Sequence, residues 1–272
     1  MKNQILIVCL LVIGLNSCGI DEPYQDTNYP TTLYPLNGDM LNKYLGEYMA
    51  LNNNHICTLL NAYGYCEYDL TPCMNRSILR TEIINESEMI RMAKQFIIKN
   101  NKYTGVTNIN KLQVSNSLGI SGCIKCDNSE NDIKNINWRL RFSNQLYEGY
   151  EVLNTDLFVF LDNNGVFMIG GNWYPKINIP HNDNYDFKKA KESLYGHKIS
   201  FICWSKIEIT VNQSNIKQEA RKVIIPLKMD DRIELRVTWE IYITDSNNNS
   251  MWTIYVDSMT GEIIRENPLI IC

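Results

Sequence analysis

The chain has 272 residues, with 26 lysines and arginines against 30 aspartates and glutamates, giving a formal net charge of −4 at pH 7. Hydrophobic residues make up 44% and charged residues 21%, which is ordinary for a globular protein. The mild acidity and the lack of a basic stripe argue against a nucleic-acid partner, because phosphate backbones require a concentrated basic face.

The first 17 residues have the order of an export signal. Lys2 precedes an apolar run from Ile5 to Leu15, and Cys18 follows shortly after it. The run is well short of the roughly 20 residues that a membrane-spanning helix needs. This segment resembles a bacterial lipoprotein signal, which implies cleavage before Cys18 and a diacylglycerol on its sulfur. An ordinary secreted protein whose apolar run ends at a cysteine is the alternative.

Two acidic residues, Asp21 and Glu22, follow Cys18 closely. In this respect the chain resembles surface-exported lipoproteins of the Bacteroides group, which implies an outer-membrane protein that faces outwards. The expected partners are therefore the lipid bilayer, through acylated Cys18, and another exported protein. Several acyl chains would anchor the protein firmly.

The next two segments are predicted to be a tether and a helix followed by an insert. Residues 18–38 are polar, contain proline and lack periodicity, which is typical of a lipidated tether. From Asp39, a candidate cap, apolar residues recur at helical spacing, although Gly46 interrupts them. Residues 39–80 therefore comprise an N-terminal helix and an irregular, cysteine-bearing insert.

Two later helices are better defined. Asn85 and Glu88 form a capping-box pattern, and the apolar spacing predicts a helix from Glu86 to Lys99. A shorter helix begins near Asp186, and Gly196 provides its stop. Strand patterns follow each helix and end in similar hairpins, with Asp162 and Gly165 in the first and Asp257 and Gly261 in the second. In the second hairpin, alternation predicts one core face and one mostly wet face.

The recurrence predicts an α+β protein with two related units, each a helix packed on an antiparallel sheet in a cystatin-like or PepSY-like arrangement. Their ranges are 81–180 and 181–272. Residues 141–152 (RFSNQLYEGYEV) with 158–166 resemble the fungalysin/thermolysin propeptide motif, and residues 239–243 with 252–264 are similar to the PepSY domain. The chain departs from the first motif at Glu151, where a proline is common, and the cysteine-bearing insert is foreign to the pattern.

The resemblance implies a module that assists the folding of a metalloprotease and blocks its cleft. The sequence has no H-E-x-x-H pair and no G-x-S-x-G elbow. His55, His181 and His197 are widely scattered, so they favour surface or capping roles. We therefore expect a non-enzymatic binding module, without metal or cofactor, that inhibits or escorts an exported peptidase. The alternative is a structural or ligand-binding surface lipoprotein that uses the insert.

The cysteines are expected to form disulfides, since an exported protein meets an oxidising environment. The candidates are Cys57, Cys66, Cys73, Cys123 and Cys126. A zinc site is less favoured because the C-x-x-C pair at Cys123 and Cys126 has no second pair of ligands, and redox catalysis is weaker still. Aromatic residues near the hairpins, including Trp173, Tyr174, Tyr242 and Tyr255, are expected to serve core packing more than binding.

Overall fold

The computed structural model describes residues 28–53, 56–69, 73, 85–124, 133–202, 206–245, 247 and 249–269. The predicted export signal and the lipid-attachment residue Cys18 lie outside the described residues. So do Cys126, Cys203 and Cys272. No helix among the described residues is long and apolar enough to cross a membrane.

Three of the four α-helices among the described residues begin at a side-chain cap. The four are α1 (Gly38–Leu51), α2 (Glu86–Lys99), α3 (Asn101–Thr104) and α4 (Phe187–Ser193). Asn85 caps α2 by accepting from the backbone N–H of Glu88 at 3.0 Å, and Asp186 caps α4 by accepting from that of Lys189 at 2.8 Å. Both predicted helices are confirmed at these starts.

Helix α1 begins two residues earlier than predicted, because its cap is Asn37 and not Asp39. Asn37 has the extended backbone of a cap residue and accepts from the N–H of Met40 at 2.8 Å, so the prediction that Asp39 caps this helix is wrong. Asp39 instead lies in the first turn, where its charge favours the positive end of the helix dipole. Gly46 is accommodated inside the helix, at a cost of about 1 kcal/mol relative to alanine.

Strands make up most of the regular structure. In chain order they are β1 (Thr31–Leu33), β2 (Val114–Cys123), β3 (Ile133–Phe142), β4 (Gln145–Tyr147), β5 (Tyr150–Val152), β6 (Leu157–Asp162), β7 (Gly165–Gly170), β8 (Lys198–Ile202), β9 (Lys206–Thr210), β10 (Arg221–Lys228), β11 (Ile233–Thr244), β12 (Ser250–Asp257) and β13 (Ile263–Pro268). The protein is therefore an α+β protein in which sheet predominates.

The described residues form three sheets. A four-stranded antiparallel sheet has the order β2-β3-β6-β7, and β8 and β9 form a two-stranded sheet. A seven-stranded sheet has the order β13-β12-β11-β10-β5-β4, with β1 paired to β11. Its β5 and β10 strands run parallel, whereas its other pairs are antiparallel. Thus β4 and β5, which lie within the predicted unit 81–180, belong to the same sheet as strands of the range 181–272.

Helix α2 covers one face of the four-stranded sheet. Residues Met89, Ala93 and Ile97 of α2 are fully buried in one core with Leu140 of β3 and Val159 of β6. This core also takes in Tyr48 of α1. Burial of such apolar side chains contributes about 1.5–3 kcal/mol each.

A second core lies under α4. Ala190 and Leu194 pack there with Trp252, Ile254 and Val256 of β12, the three residues predicted to share a core face. The prediction that the opposite face of β12 is mostly wet is wrong, because Thr253 and Tyr255 are buried as well. Side chains of β10 and the residue after β5 pack against Tyr255.

Both predicted hairpin turns are confirmed. Asp162 accepts from the N–H of Asn164 at 2.8 Å, and Gly165 has a φ of 112°. Asp257 accepts from the N–H groups of Met259 and Thr260 at 2.7 and 3.0 Å, and Gly261 has a φ of 74°. A Cβ atom at Gly261 would also clash with the ring of Tyr185. Glycine is therefore required there both by the positive φ and by the close approach of this ring.

Part of the predicted tether belongs to the folded body. Thr31–Leu33 forms β1 against β11, and Thr31 accepts from the backbone N–H of Asn178 at 2.6 Å. Tyr29 and Leu33 pack against the core of the seven-stranded sheet. The prediction of a tether over 18–38 is therefore wrong for residues 28–37, because long-range pairing orders a stretch without local periodicity.

Candidate interaction site

The segment that resembles the propeptide motif folds into a tight hairpin. Tyr147 of β4 and Tyr150 of β5 face each other across a two-residue turn. Its central residues, Glu148 and Gly149, have φ values of 50° and 89°. Positive φ at both positions is what a type I′ hairpin turn requires, and glutamate seldom adopts it.

Parallel pairing brings this hairpin beside β10. Glu151 lies opposite Val223 and Val152 opposite Ile224. The register places the side chain of Glu151 next to that of Arg221, two residues before Val223. Glu151, the residue that departs from the propeptide pattern, is thereby held on β5 beside β10, a strand distant in sequence.

Both carboxylate oxygens of Glu151 are engaged. The side-chain amide of Asn144 donates to one oxygen at 2.7 Å, and the guanidinium of Arg221 donates to the other. Arg221 also donates to Glu240 of β11 at 2.7 Å, and the hydroxyl of Tyr255 donates to the other oxygen of Glu240 at 3.1 Å. The result is a continuous chain of hydrogen bonds across four strands, β5, β10, β11 and β12.

A groove opens beside Glu151. Its volume is about 230 Å³. Its walls are Lys111, Gln113, Ser143, Asn144, Leu146 and Glu151. Leu146, with 52% of its surface exposed, is an apolar residue on an otherwise polar rim. We refer to these six residues as the Glu151 groove.

Arg221 and Tyr255, next to the groove, both stay protonated at neutral pH. Burial by itself would lower the pKa of Arg221, but the carboxylates of Glu240 and Glu151 outweigh this effect and raise it. Burial and the nearby Glu240 carboxylate raise the pKa of Tyr255, so its phenol stays protonated. These groups can orient a bound partner, whereas none of them is poised to exchange a proton near pH 7.

The described cysteines divide into bonded and free. Cys57 and Cys73 form a disulfide with a Cα–Cα distance of 5.4 Å, and Cys123 is also disulfide-bonded. Cys66 is a free, buried thiol, so its expected place in a disulfide is wrong. Its sulfur lies 3.7 Å from the hydroxyl of Tyr48 inside the core under α2. The predicted role of Cys126 falls outside the described residues.

Among the described residues, the other candidates from the sequence do not gather into a reactive centre, and His55 lies outside those residues. His197 contacts Glu266 of β13 at 2.7 Å, and His181 lies on an exposed loop. Within the part of the chain that the structure describes, no group of three or more metal-binding side chains is found. Trp173, Tyr174 and Tyr255 are buried, so their core-packing interpretation is confirmed.

Sequence reasoning singled out Glu151 only as an exception to a motif. It missed Asn144, Arg221 and Lys111, which complete the site or line it. The only available signal for Arg221 was its place at the start of an apolar run, and nothing local links that run to residue 151. Parallel pairing between strands some 70 residues apart cannot be inferred from either segment alone.

Comparisons with known proteins give little further guidance. No protein-family model matches the chain, and no curated protein matches it. Among solved structures, the chain is similar to the Bacillus megaterium YpeB C-terminal domain, with 13% identity and a TM-score of 0.32. The alignment covers 87% of this chain and 99% of that one. An overlap of this quality establishes neither a shared fold nor a shared function.

Proposed function

We propose that the protein is a membrane-anchored, non-enzymatic binding module that contacts another exported protein through the Glu151 groove. The observation that carries this proposal is that two hydrogen bonds hold the carboxylate of Glu151. Asn144 and Arg221 occupy both oxygens of Glu151, so the carboxylate shapes a surface rather than serving as a base. Leu146 beside it offers apolar area that a partner can bury.

The proposed partner is an exported peptidase, which the module inhibits or helps to fold. This part rests on the resemblance of residues 141–166 to a propeptide motif and of residues 239–264 to a PepSY domain. We also propose that the chain comprises two related units, each with a helix on an antiparallel sheet. The burial of α2 against one sheet and of α4 against another supports that division.

The proposed anchor is an acylated Cys18, which would hold the module on the outer membrane with an outward orientation. The support is the order of charge, apolar run and cysteine in the first 18 residues. Mass spectrometry of the membrane-extracted protein tests it: a diacylated amino-terminal Cys18 is expected. An unmodified thiol at that position would reject the anchor.

Partner capture with a groove variant tests the binding role. Leu146→Asp places a charge on the apolar rim, so we expect the purified variant to recover much less peptidase from envelope extract than the wild type. Tyr195→Asp is the matched control, because Tyr195 is also exposed (43%) but lies on the turn after α4. Equal recovery by both variants would reject the groove as the contact surface. Recovery without any peptidase would reject the peptidase as the partner.

The alternative is a structural or ligand-binding surface lipoprotein that uses the insert. The observation favouring it is that residues 56–69 are tied to the edge of β7 and still expose Leu59 to 42%. Leu59→Asp is a better test than deleting the insert, because the N–H of Cys57 donates to Phe167 and Thr58 accepts from Ile169. Loss of partner binding in Leu59→Asp, with Leu146→Asp unaffected, would favour this alternative.

A further inference from the structure

A second surface lies on the four-stranded sheet, on the face away from α2. Strands β3 and β6 pair so that Arg139 is opposite Phe160 and Arg141 is opposite Phe158. The intervening Leu140 points to the other side and is fully buried in the core under α2. Alternation along the strand therefore places both arginines and both phenylalanines together on the outer face.

The two guanidinium groups rest on the aromatic rings. The central carbon of the Arg139 guanidinium is 5.3 Å from the ring centroid of Phe158 and 5.7 Å from that of Phe160. That of Arg141 is 5.1 Å from the ring centroid of Phe158. Such stacking limits the rotamers of both arginines in advance, which reduces the entropy lost when they bind a ligand.

Most of the hydrogen-bonding capacity of these arginines is unused. Arg141 donates from Nε to Asp156 at 2.9 Å, and its terminal nitrogens have no hydrogen bond within the described parts of the chain. Arg139, which is exposed, has no ion pair with any described residue. Each guanidinium thus presents N–H groups outwards in a planar fork that matches a carboxylate.

Apolar side chains border the arginines. Leu118 of β2 lies opposite Arg139 and is 53% exposed. On the other side, the ring of Tyr68 from the insert lies 5.3 Å from that of Phe158. We refer to Arg139, Arg141, Phe158, Phe160, Leu118 and Tyr68 as the arginine strip.

We propose that the arginine strip binds an extended acidic peptide segment of a partner protein. Side chains on one face of an extended peptide recur every two residues, about 6.5–7 Å apart. Arg139 and Arg141 have the same two-residue spacing on β3, so successive carboxylates of the peptide can meet successive guanidiniums. Leu118 and Tyr68 favour a peptide over an anionic polysaccharide, because they can bury its apolar side chains.

The net charge of the protein implies that only the arginine strip itself attracts the acidic peptide. The whole chain carries a net charge of −4, so an acidic segment gains no general attraction to the protein. Binding must come from the strip itself and must weaken as salt increases. The strip lies on the four-stranded sheet, whereas Leu146 and Glu151 of the groove belong to the seven-stranded sheet. This inference does not rest on the function proposed for that groove.

The probe is a fluorescein-labelled nine-residue peptide that alternates glutamate and valine, measured by fluorescence anisotropy against the purified folded protein. We expect the wild type to bind it, and the peptide with glutamine in place of glutamate not to bind. Arg139→Gln and Arg141→Gln should each weaken binding about fivefold, the effect of losing one exposed charge pair. Arg139→Lys should recover only part of the loss, since ammonium lacks the planar fork.

The matched control is Arg91→Gln, which removes an equal charge from α2 on the opposite side of the sheet. It should bind the peptide as the wild type does. Equal binding by the wild type and by the double variant Arg139→Gln/Arg141→Gln would overturn the proposal, provided that thermal unfolding shows both to be folded. Equal binding of the glutamine peptide would also overturn it. Binding of polygalacturonate in preference to the peptide would show that the partner class is wrong.

Discussion

The phenol hydroxyl of Tyr29 donates a hydrogen bond of 2.9 Å to the carboxylate of Asp257, 228 residues later in the chain. The hydroxyl oxygen of Tyr29 also accepts a hydrogen bond from the backbone N–H of Val237 at 2.9 Å. The guanidinium of Arg236 donates to the carboxylate of Asp257 at 3.2 Å. Asp257 is fully buried, and a buried carboxylate needs hydrogen-bond donors around it. The beginning and the end of the described chain are thereby joined around one carboxylate.

Replacement of Tyr29 by phenylalanine should destabilise the protein. It removes one donor from buried Asp257 and one acceptor from Val237, and we expect the free energy of unfolding to fall by about 1–3 kcal/mol. Urea denaturation followed by tryptophan fluorescence measures the change. Tyr34→Phe is the control, because Tyr34 is 66% exposed. If Tyr29→Phe matches the control, the buried contact contributes nothing.

The carboxylate of Glu234, which accepts from Arg236, predicts how the stability of the protein depends on acid pH. Burial by itself would raise the pKa of Glu234, but hydrogen bonds from Arg232 and Arg236 outweigh it and hold that pKa below its ordinary value. A lowered folded-state pKa contributes stability that is present above the unfolded value of about 4.3 and is lost as the pH falls through the folded value.

Glu234→Gln should therefore reduce the free energy of unfolding by about 1–3 kcal/mol at pH 7 and lose less stability between about pH 5 and pH 3 than the wild type. Urea titrations across that range measure both effects. Glu219→Gln, on an exposed loop, should follow the wild-type curve. Parallel curves for Glu234→Gln and the wild type would contradict the assignment.

The free thiol should be inert in the folded state. Burial raises the pKa of Cys66 to about 12, so the reactive thiolate is scarce at pH 8. We expect iodoacetamide to leave the Cys66 peptide unlabelled in the native protein and to label it in guanidinium chloride, as measured by mass spectrometry. Rapid native labelling at pH 8 would show that the residue is accessible.

Removing the Cys57–Cys73 disulfide should loosen the insert. The bridge closes a loop with a sequence separation of 16, for which chain entropy gives a stabilisation of about 3 kcal/mol. In the double variant Cys57→Ser/Cys73→Ser we expect faster hydrogen exchange at the backbone amides of residue 57 and Ile169. These two amides donate the hydrogen bonds that join the insert to β7. Amides of β12 serve as the internal control. Unchanged exchange at Ile169 would show that the bridge does not support this edge.

Elements with strong local signals were predictable from sequence. Asn85 and Glu88 predict the start of α2, and Asp257 with Gly261 predicts the second turn, because capping and turn chemistry act over three or four residues. The side chain of Glu88 nevertheless pairs with Arg91, which stands one turn further along the helix. Short-range patterns thus predicted the helix start and the turn correctly but missed the pairing of the Glu88 side chain with Arg91.

The rest depends on contacts between distant segments. Strands β1, β4 and β5 have three residues each, too few for alternation to reveal them. Strands β1 and β5 pair with strands far away in sequence, β11 and β10. The pairing of β5 with β10 creates the contact between Glu151 and Arg221. The candidate site was therefore hidden from sequence reasoning even though its central residue had been noticed.

Photocrosslinking in intact envelopes tests the central claim most directly. A benzophenone amino acid would replace Leu146 in the groove or Tyr195 as the exposed control, and adducts would be identified by mass spectrometry. We expect a specific adduct with an exported peptidase from position 146 and none from position 195. Equal labelling from both positions, or labelling from position 195 alone, would contradict binding through the Glu151 groove.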